Sequence, residues 1–141
     1  MAKRLSQACC CLLLGLLPCA GVADLVVVVS AETGLTRIQR QELKDLYLDS
    51  RTRLQGGAAI TPIDQSERSR ERDEFYRRYI EKTPAQLRAH WARLIFTGRG
   101  QPPQTLADSQ AVVERLARDP GALGYIDARY LDDRLRVVTI E

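Results

Sequence analysis

Residue types on which many active sites depend are scarce in this chain of 141 residues. Histidine occurs once, at position 90, and the four cysteines all lie within the first 19 residues. A metal site made of protein side chains needs several clustered ligands, commonly His and Cys for zinc. We therefore expect no metal ion and no other cofactor, and we interpret His90 as a partly buried or surface side chain.

A catalytic constellation is also missing from the sequence. No nucleophile elbow accompanies His90, although a Ser-His-Asp triad can assemble from distant parts of a chain. Residues 97–103 contain a Gly-x-Gly pattern, but the third glycine of a dinucleotide fingerprint is absent and the two prolines lack N–H donors. We interpret this segment as a loop that reverses the chain, and we predict that the protein is not an enzyme.

Long apolar runs are confined to the amino terminus. Lys3 and Arg4 precede an apolar stretch that ends near Leu17, and residues 21–23 have the small-x-small pattern of a signal-peptide cleavage site. No later segment approaches the roughly 20 apolar residues that a membrane-spanning helix needs. We predict a signal peptide over residues 1–23, release into the periplasm, and no stable membrane insertion after cleavage.

Cleavage after residue 23 would leave 118 residues without any cysteine, which fit one domain that buries a core without disulfides. These residues include 19 basic and 18 acidic side chains with closely interleaved signs, so no overall attraction to nucleic acid or membranes is expected. Only two of the basic residues are lysines. Arginine suits phosphate and carboxylate recognition, although GC-rich coding would produce the same bias.

The order of apolar patterns predicts a single α/β domain over residues 24–141. Residues 25–29 are aliphatic and mostly β-branched, which fits a central strand that is buried on both faces, as in a parallel sheet. Further strands are predicted at 58–63, 122–126 and 135–140. The alternation with helices indicates a small mixed sheet of about four strands with helices on both faces.

Helix starts are indicated by capping residues. Capping boxes begin at Thr36 and Thr83, and further helices are predicted to start near Ser69 and after Asp108 or Ser109. The helix after Thr83 carries an apolar stripe made of Leu87, Trp91, Leu94 and Ile95.

The stretch 64–75 joins a strand end to a helix start and is the best candidate for function. The first turn of a helix has unpaired N–H groups and the positive end of the helix dipole, so hydroxyls and arginines there can hold an oxyanion. The alternative is that Ser69 caps its own helix and that the alternating Arg and Glu residues form a solvated, salt-bridged face.

Three segments resemble the phosphate-binding protein family of bacterial ABC phosphate-uptake systems, which belongs to the periplasmic binding-protein superfamily. Residues 43–48 are similar to the family's Leu-x-Asp-Ile-Tyr-Leu-Gly helix end, and residues 120–126 to its Pro-Gly-Ala-Ile-Gly-Tyr strand. Residues 65–75 lie where the family has an Arg-x-x-Gly-Ser-Gly-Thr-x-x-x-Phe phosphate loop. The resemblance implies a single lobe of a periplasmic binding-protein-like (type II) fold.

The predicted ligand-binding residues are Ser66, Arg68, Ser69 and Arg72. The two hydroxyls and the first-turn amides would orient the anion, and the two guanidinium groups would add charge-assisted hydrogen bonds. Glu71 stands where the family has threonine, and its carboxylate would repel phosphate unless it points away.

The resemblance implies an exported solute-binding-protein-like domain that recognises phosphate or a related oxyanion in connection with phosphate uptake. A single lobe offers only one wall, so a second copy of the chain, or a transporter or sensor protein, would have to supply the other. The alternative is a protein-interaction module derived from a binding-protein lobe that has lost its ligand.

Overall fold

The computed structural model describes residues 24–49 and 52–141, so the predicted signal peptide lies outside the described residues. The strands are β1 Leu25–Ser30, β2 Arg37–Ile38, β3 Thr61–Gln65, β4 Gln104–Leu106, β5 Ala122–Asp127, β6 Leu135–Val137 and β7 Thr139–Ile140. The α-helices are α1 Arg40–Leu48, α2 Arg70–Phe75, α3 Pro84–Phe96 and α4 Ser109–Ala117. A π-helical turn, Tyr76–Ile80, continues α2, and a 3-10 turn, Ala128–Tyr130, follows β5.

Five strands form one mixed sheet in the order β4-β3-β5-β1-β6. β3 runs parallel to β4 and β5, whereas β1 runs antiparallel to β5 and β6. The predicted mixed sheet is confirmed, but the expectation that residues 25–29 form its central strand, as in a parallel sheet, is wrong. β5 is the middle strand. An unbroken apolar run indicates that both faces of a strand are buried. This burial does not depend on whether the neighbouring strands run parallel or antiparallel, so the run does not predict strand direction.

Several strand boundaries differ from the predicted ones. The strand predicted at 58–63 runs from Thr61 to Gln65, and its pairing with β4 begins only at Ile63. The strand predicted at 135–140 is divided into β6 and β7, and β7 pairs with β2 in a separate two-stranded sheet. β4 was not predicted, because its three residues include two exposed polar ones and show no apolar pattern.

Helices cover both faces of the sheet, as predicted. One face packs against α1, α2 and α3 around the large side chains Tyr47, Phe75 and Trp91. The other face packs against α4, whose Val112 and Leu116 are completely buried.

α4 approaches the sheet closely over Gly124. A Cβ atom added there would lie 2.9 Å from Cγ1 of Val112 and 3.3 Å from Cδ1 of Leu116. The middle strand therefore needs a residue without a side chain at this point.

Three of the four predicted helix starts are confirmed. The side chain of Ser69 accepts from the backbone N of Arg72, Thr83 accepts from Gln86, and Asp108 accepts from Ala111. Thr36 is not a cap, because residues 37 and 38 form β2 and delay the helix until Arg40.

The predicted stripe of α3 is correct except at Ile95. Leu87 and Trp91 are buried and Leu94 is half-buried, but Ile95 is 56% exposed. One residue advances a helix by about 100°, so Ile95 lies beside the buried stripe that ends at Leu94.

Candidate functional site

The predicted site residues lie at the carboxyl ends of the parallel strands β3, β4 and β5. The backbone N–H of Ser66, after β3, donates to the carbonyl of Leu106 at the end of β4 at 2.8 Å. The backbone N–H of Asp127, at the end of β5, donates to the side-chain hydroxyl of Ser109 at the start of α4 at 3.1 Å. α2 and α4 begin at the same edge, where open α/β sheets usually place ligands.

Ser69 is fully engaged within the protein. Its Oγ accepts from the backbone N of Arg72 at 3.1 Å and lies 2.7 Å from Oε1 of Gln65 and 2.9 Å from Oε2 of Glu71. A hydroxyl has a single proton, so it donates to only one of these two acceptors at a time. Glu71 therefore does not point away from the site, and Ser69 acts as the helix cap.

Arg72 forms an ion pair with the buried carboxylate of Asp64. Its Nε lies 3.3 Å from Oδ2 of Asp64, and its guanidinium lies 5.0 Å from the ring centre of Tyr76. The side chain is only 13% exposed. Burial is the largest single effect on the pKa of Arg72 and lowers it, but the charge of Asp64, the two tyrosines Tyr76 and Tyr125 and the hydrogen bond to Asp64 together outweigh burial and raise the pKa, so Arg72 remains cationic.

Asp64 has a full set of hydrogen-bond partners. The hydroxyls of Tyr76 and Tyr125 donate to it at 2.8 Å and 2.5 Å, and the backbone N of Gln65 donates at 2.8 Å. Burial and the nearby negative charge raise the pKa of both tyrosines well above its usual range, so both keep the protons that they donate. The network fixes the base of the site.

Arg68 and Ser66 are the more accessible members of the predicted set. The Ser66 hydroxyl is half-buried and accepts from the backbone N of Arg68 at 3.3 Å. The guanidinium of Arg68 is exposed and makes no ion pair or hydrogen bond with any residue of the described ranges. Arg68 thus places at the start of α2 a positive charge that no described residue neutralises.

Another arginine lies at the same edge and was not predicted from the sequence. Arg129 pairs with Asp127 at 2.6 Å while its side chain stays 79% exposed. The hydrogen bond from Arg129 is the main cause that lowers the pKa of Asp127, and Arg70 contributes from α2. Asp127 directly follows the strand predicted at 122–126. Its position at a strand end was the available sign that Asp127 and its partner Arg129 lie at this edge of the sheet.

The arrangement combines exposed guanidinium groups with a helix start, which favours binding of an anion. The Glu71 carboxylate lies within it and opposes such binding. Within residues 24–49 and 52–141, no group of three or more His, Cys, Asp or Glu side chains is arranged to hold a metal ion. In that same part of the chain, no helix has the length and apolar character required to cross a membrane.

His90 lies apart from this edge, in α3. Its Nε2 is 2.6 Å from the carbonyl oxygen of Leu48, and its ring packs edge-on against Trp91. The partly buried position agrees with the interpretation made from the sequence.

Comparison with known proteins identifies similar solved structures only. No protein-family model and no curated protein sequence matches the chain. A phosphate ABC transporter substrate-binding protein from Clostridium perfringens, solved with bound phosphate, has a TM-score of 0.64 and 19% identity. An ABC-type phosphate transport receptor from Vibrio cholerae has a TM-score of 0.62 and 14% identity, and PstS from Borrelia burgdorferi has 0.60 and 16%.

The chain matches less than half of each of these proteins. It is covered over 82%, 82% and 83% of its length, whereas the matches span 44%, 45% and 47% of the three structures. The predicted α/β fold of a single periplasmic binding-protein lobe is thereby confirmed. At identities of 19%, 14% and 16%, this similarity shows the fold alone.

Proposed function

The chain has the fold of one part of the phosphate-binding proteins described above. On this premise we propose that it is an exported domain that recognises phosphate or a related oxyanion. Recognition would occur at the start of α2 and would serve phosphate uptake. The observation that supports this most directly is the guanidinium of Arg68, which no described residue pairs with and which lies beside the helix start at the carboxyl edge of the sheet.

Each of the four predicted residues has a distinct part in this proposal. Arg72 is bound to Asp64 through Nε, which leaves its two terminal nitrogens to donate to an anion. Arg68 adds a second charge from the exposed side. Ser66 accepts from a backbone N–H and keeps its own proton for a ligand. Ser69 can donate only after Gln65 and Glu71 release it.

Glu71 sets the condition for binding. Its carboxylate oxygen lies 2.9 Å from the Ser69 hydroxyl, so it occupies space beside the anion position. Two like charges about 4 Å apart repel by about 1 kcal/mol in water and by more where water is excluded. The bound state therefore requires the Glu71 side chain to rotate toward solvent or toward Arg129.

The chain spans less than half of the similar structures, and we infer that a partner completes the site. A second copy of the chain, or a transporter or sensor protein, would cover the open side of the site and exclude water from it. No reaction is proposed.

Calorimetric titration with inorganic phosphate at low salt tests the site. We expect heat from the native protein and about a tenfold weaker affinity for Arg72→Ala, because a hydrogen bond to a charged group contributes about 1.5–3 kcal/mol. The Ser69→Ala variant should bind phosphate no more tightly than the Arg72→Ala variant. Arg118→Gln, an exposed arginine at the end of α4, is the matched control and should bind like the native protein.

The absence of heat from the native protein, or equal heat from Arg72→Ala, would end the proposal. Mass spectrometry of the exported protein tests the predicted signal-peptide cleavage site, and Asp24 is the expected first residue of the mature protein.

A further inference from the structure

The outward face of α3 is apolar although nothing in the described part of the chain covers it. The inward face is anchored by Leu87 and Trp91. The residues on the opposite side recur at helical spacing, and all of them are exposed: Ala85, Ala89, Ala92 and Phe96. Phe96 is 92% exposed, and Ile95 beside it is 56% exposed. We call this surface the outer face of α3.

The segment that carries the outer face contains cationic side chains and no acidic ones. Residues 82–107 contain Lys82, Arg88, Arg93 and Arg99 but no Asp or Glu, although acidic residues are frequent elsewhere in the chain. These four cations make no ion pair within the described residues. Lys82 and Arg93 also line a groove of about 280 Å³ along the helix, together with His90.

We propose that the outer face of α3 binds reversibly to the surface of an anionic phospholipid bilayer. Phe96 and Ile95 would enter the headgroup region, and the flanking cations would contact lipid phosphates. An apolar helix face flanked by Lys or Arg is the usual pattern of interfacial membrane binding, and each cation near an anionic surface adds to the attraction.

Charge selects this occupant over a second copy of the chain. In a two-fold dimer through α3, the arginines of both copies would face one another without any acidic residue of the helix to balance them. Phe96 is the last residue of α3 and precedes the turn at Gly98. A side chain at such a tip can enter a soft surface without a matching pocket.

Membrane binding through this face would leave the candidate anion site accessible. Residues 97–103 connect Phe96 to the amino end of β4, whereas the candidate site lies at the carboxyl ends of β3, β4 and β5. The proposal is therefore independent of the proposed phosphate function.

Sedimentation of the exported protein with vesicles tests the proposal. We expect binding to vesicles of phosphatidylcholine mixed with phosphatidylglycerol, weaker binding at high salt, and little binding to phosphatidylcholine alone. Phe96→Ser should lower the partition coefficient about tenfold, since burial of a Phe side chain is lost. Arg93→Gln should lower it about fivefold on the anionic vesicles.

Matched controls separate this face from the rest of the surface. Val137→Ser removes another exposed apolar side chain, and Arg118→Gln removes an exposed cation from α4; both should partition like the native protein. All variants share the same amino terminus, so any difference between them comes from the substituted residue. Phosphate titration of Phe96→Ser should match the native protein.

Two results would overturn the proposal. The native protein could remain in the supernatant with anionic vesicles, or Phe96→Ser could bind as well as the native protein. Cross-linking from position 96 to an acidic protein, without any vesicle binding, would likewise assign the outer face to a different partner.

Discussion

The buried carboxylate of Asp64 organises the candidate site at the level of single residues. It lies at the end of β3 and collects hydroxyl protons from Tyr76 and Tyr125, while Arg72 approaches it from the solvent side. The serine cap could be predicted from local sequence, whereas the strand was predicted to end at Ile63 and continues to Gln65. The bond from Tyr125 could not, because it joins residues 61 positions apart and depends on how β3 and β5 pair.

Glu71 provides a test that belongs to this scale. We expect Glu71→Gln to tighten phosphate binding about fivefold, since removal of a repulsion of about 1 kcal/mol changes an equilibrium by that factor. The measurement is the dissociation constant from calorimetry at low salt.

The matched control for Glu71→Gln is Glu67→Gln, an exposed carboxylate in the same connection. It should change the affinity much less. Equal tightening in both variants would mean that only net charge matters, and unchanged affinity in Glu71→Gln would place the anion elsewhere.

At the level of elements, α4 and the middle strand are fitted to each other at Gly124. Capping residues allowed three helix starts to be predicted, because a cap acts over four consecutive residues. The short strands β4, β6 and β7 were missed or merged, because two or three residues carry too little pattern to show a boundary. Close packing between elements leaves even less trace in the sequence.

We expect Gly124→Ala to lower the free energy of unfolding by about 1–3 kcal/mol, the usual cost of overpacking a core. The new methyl group would lie 2.9 Å from a branch of Val112, which is stiff about χ1. Urea denaturation measures the loss.

The double variant Gly124→Ala with Val112→Ala is the informative companion to this measurement. It should cost less than the sum of the two single changes, because the second change removes the clash. Strict additivity would show that the cost comes from the backbone and not from the contact with α4.

At the level of the whole molecule, the chain bounds the proposed anion site on one side only. It spans 44% of a phosphate-bound structure with the same fold. A site open to water keeps a high dielectric, so each ionic hydrogen bond contributes less than it would in an enclosed cleft.

We therefore expect weak phosphate binding by the isolated chain, with a Kd on the order of 1 mM, as two charge-assisted hydrogen bonds would provide. The affinity should fall further at high salt. Titration at several protein concentrations, combined with sedimentation velocity, separates a single wall from a pair of chains.

Affinity that rises with protein concentration, together with faster sedimentation in phosphate, would show that a second copy closes the site. A monomer that binds phosphate in the micromolar range would contradict the expectation, because it would show that one wall is sufficient.

The only tryptophan of the chain, Trp91, is buried where α3 meets the rest of the protein. Its fluorescence will consequently be a single-site optical signal. A red shift of its emission will record detachment of α3, even when circular dichroism of the whole chain is unchanged. The protein thus contains its own reporter for the helix that carries Phe96.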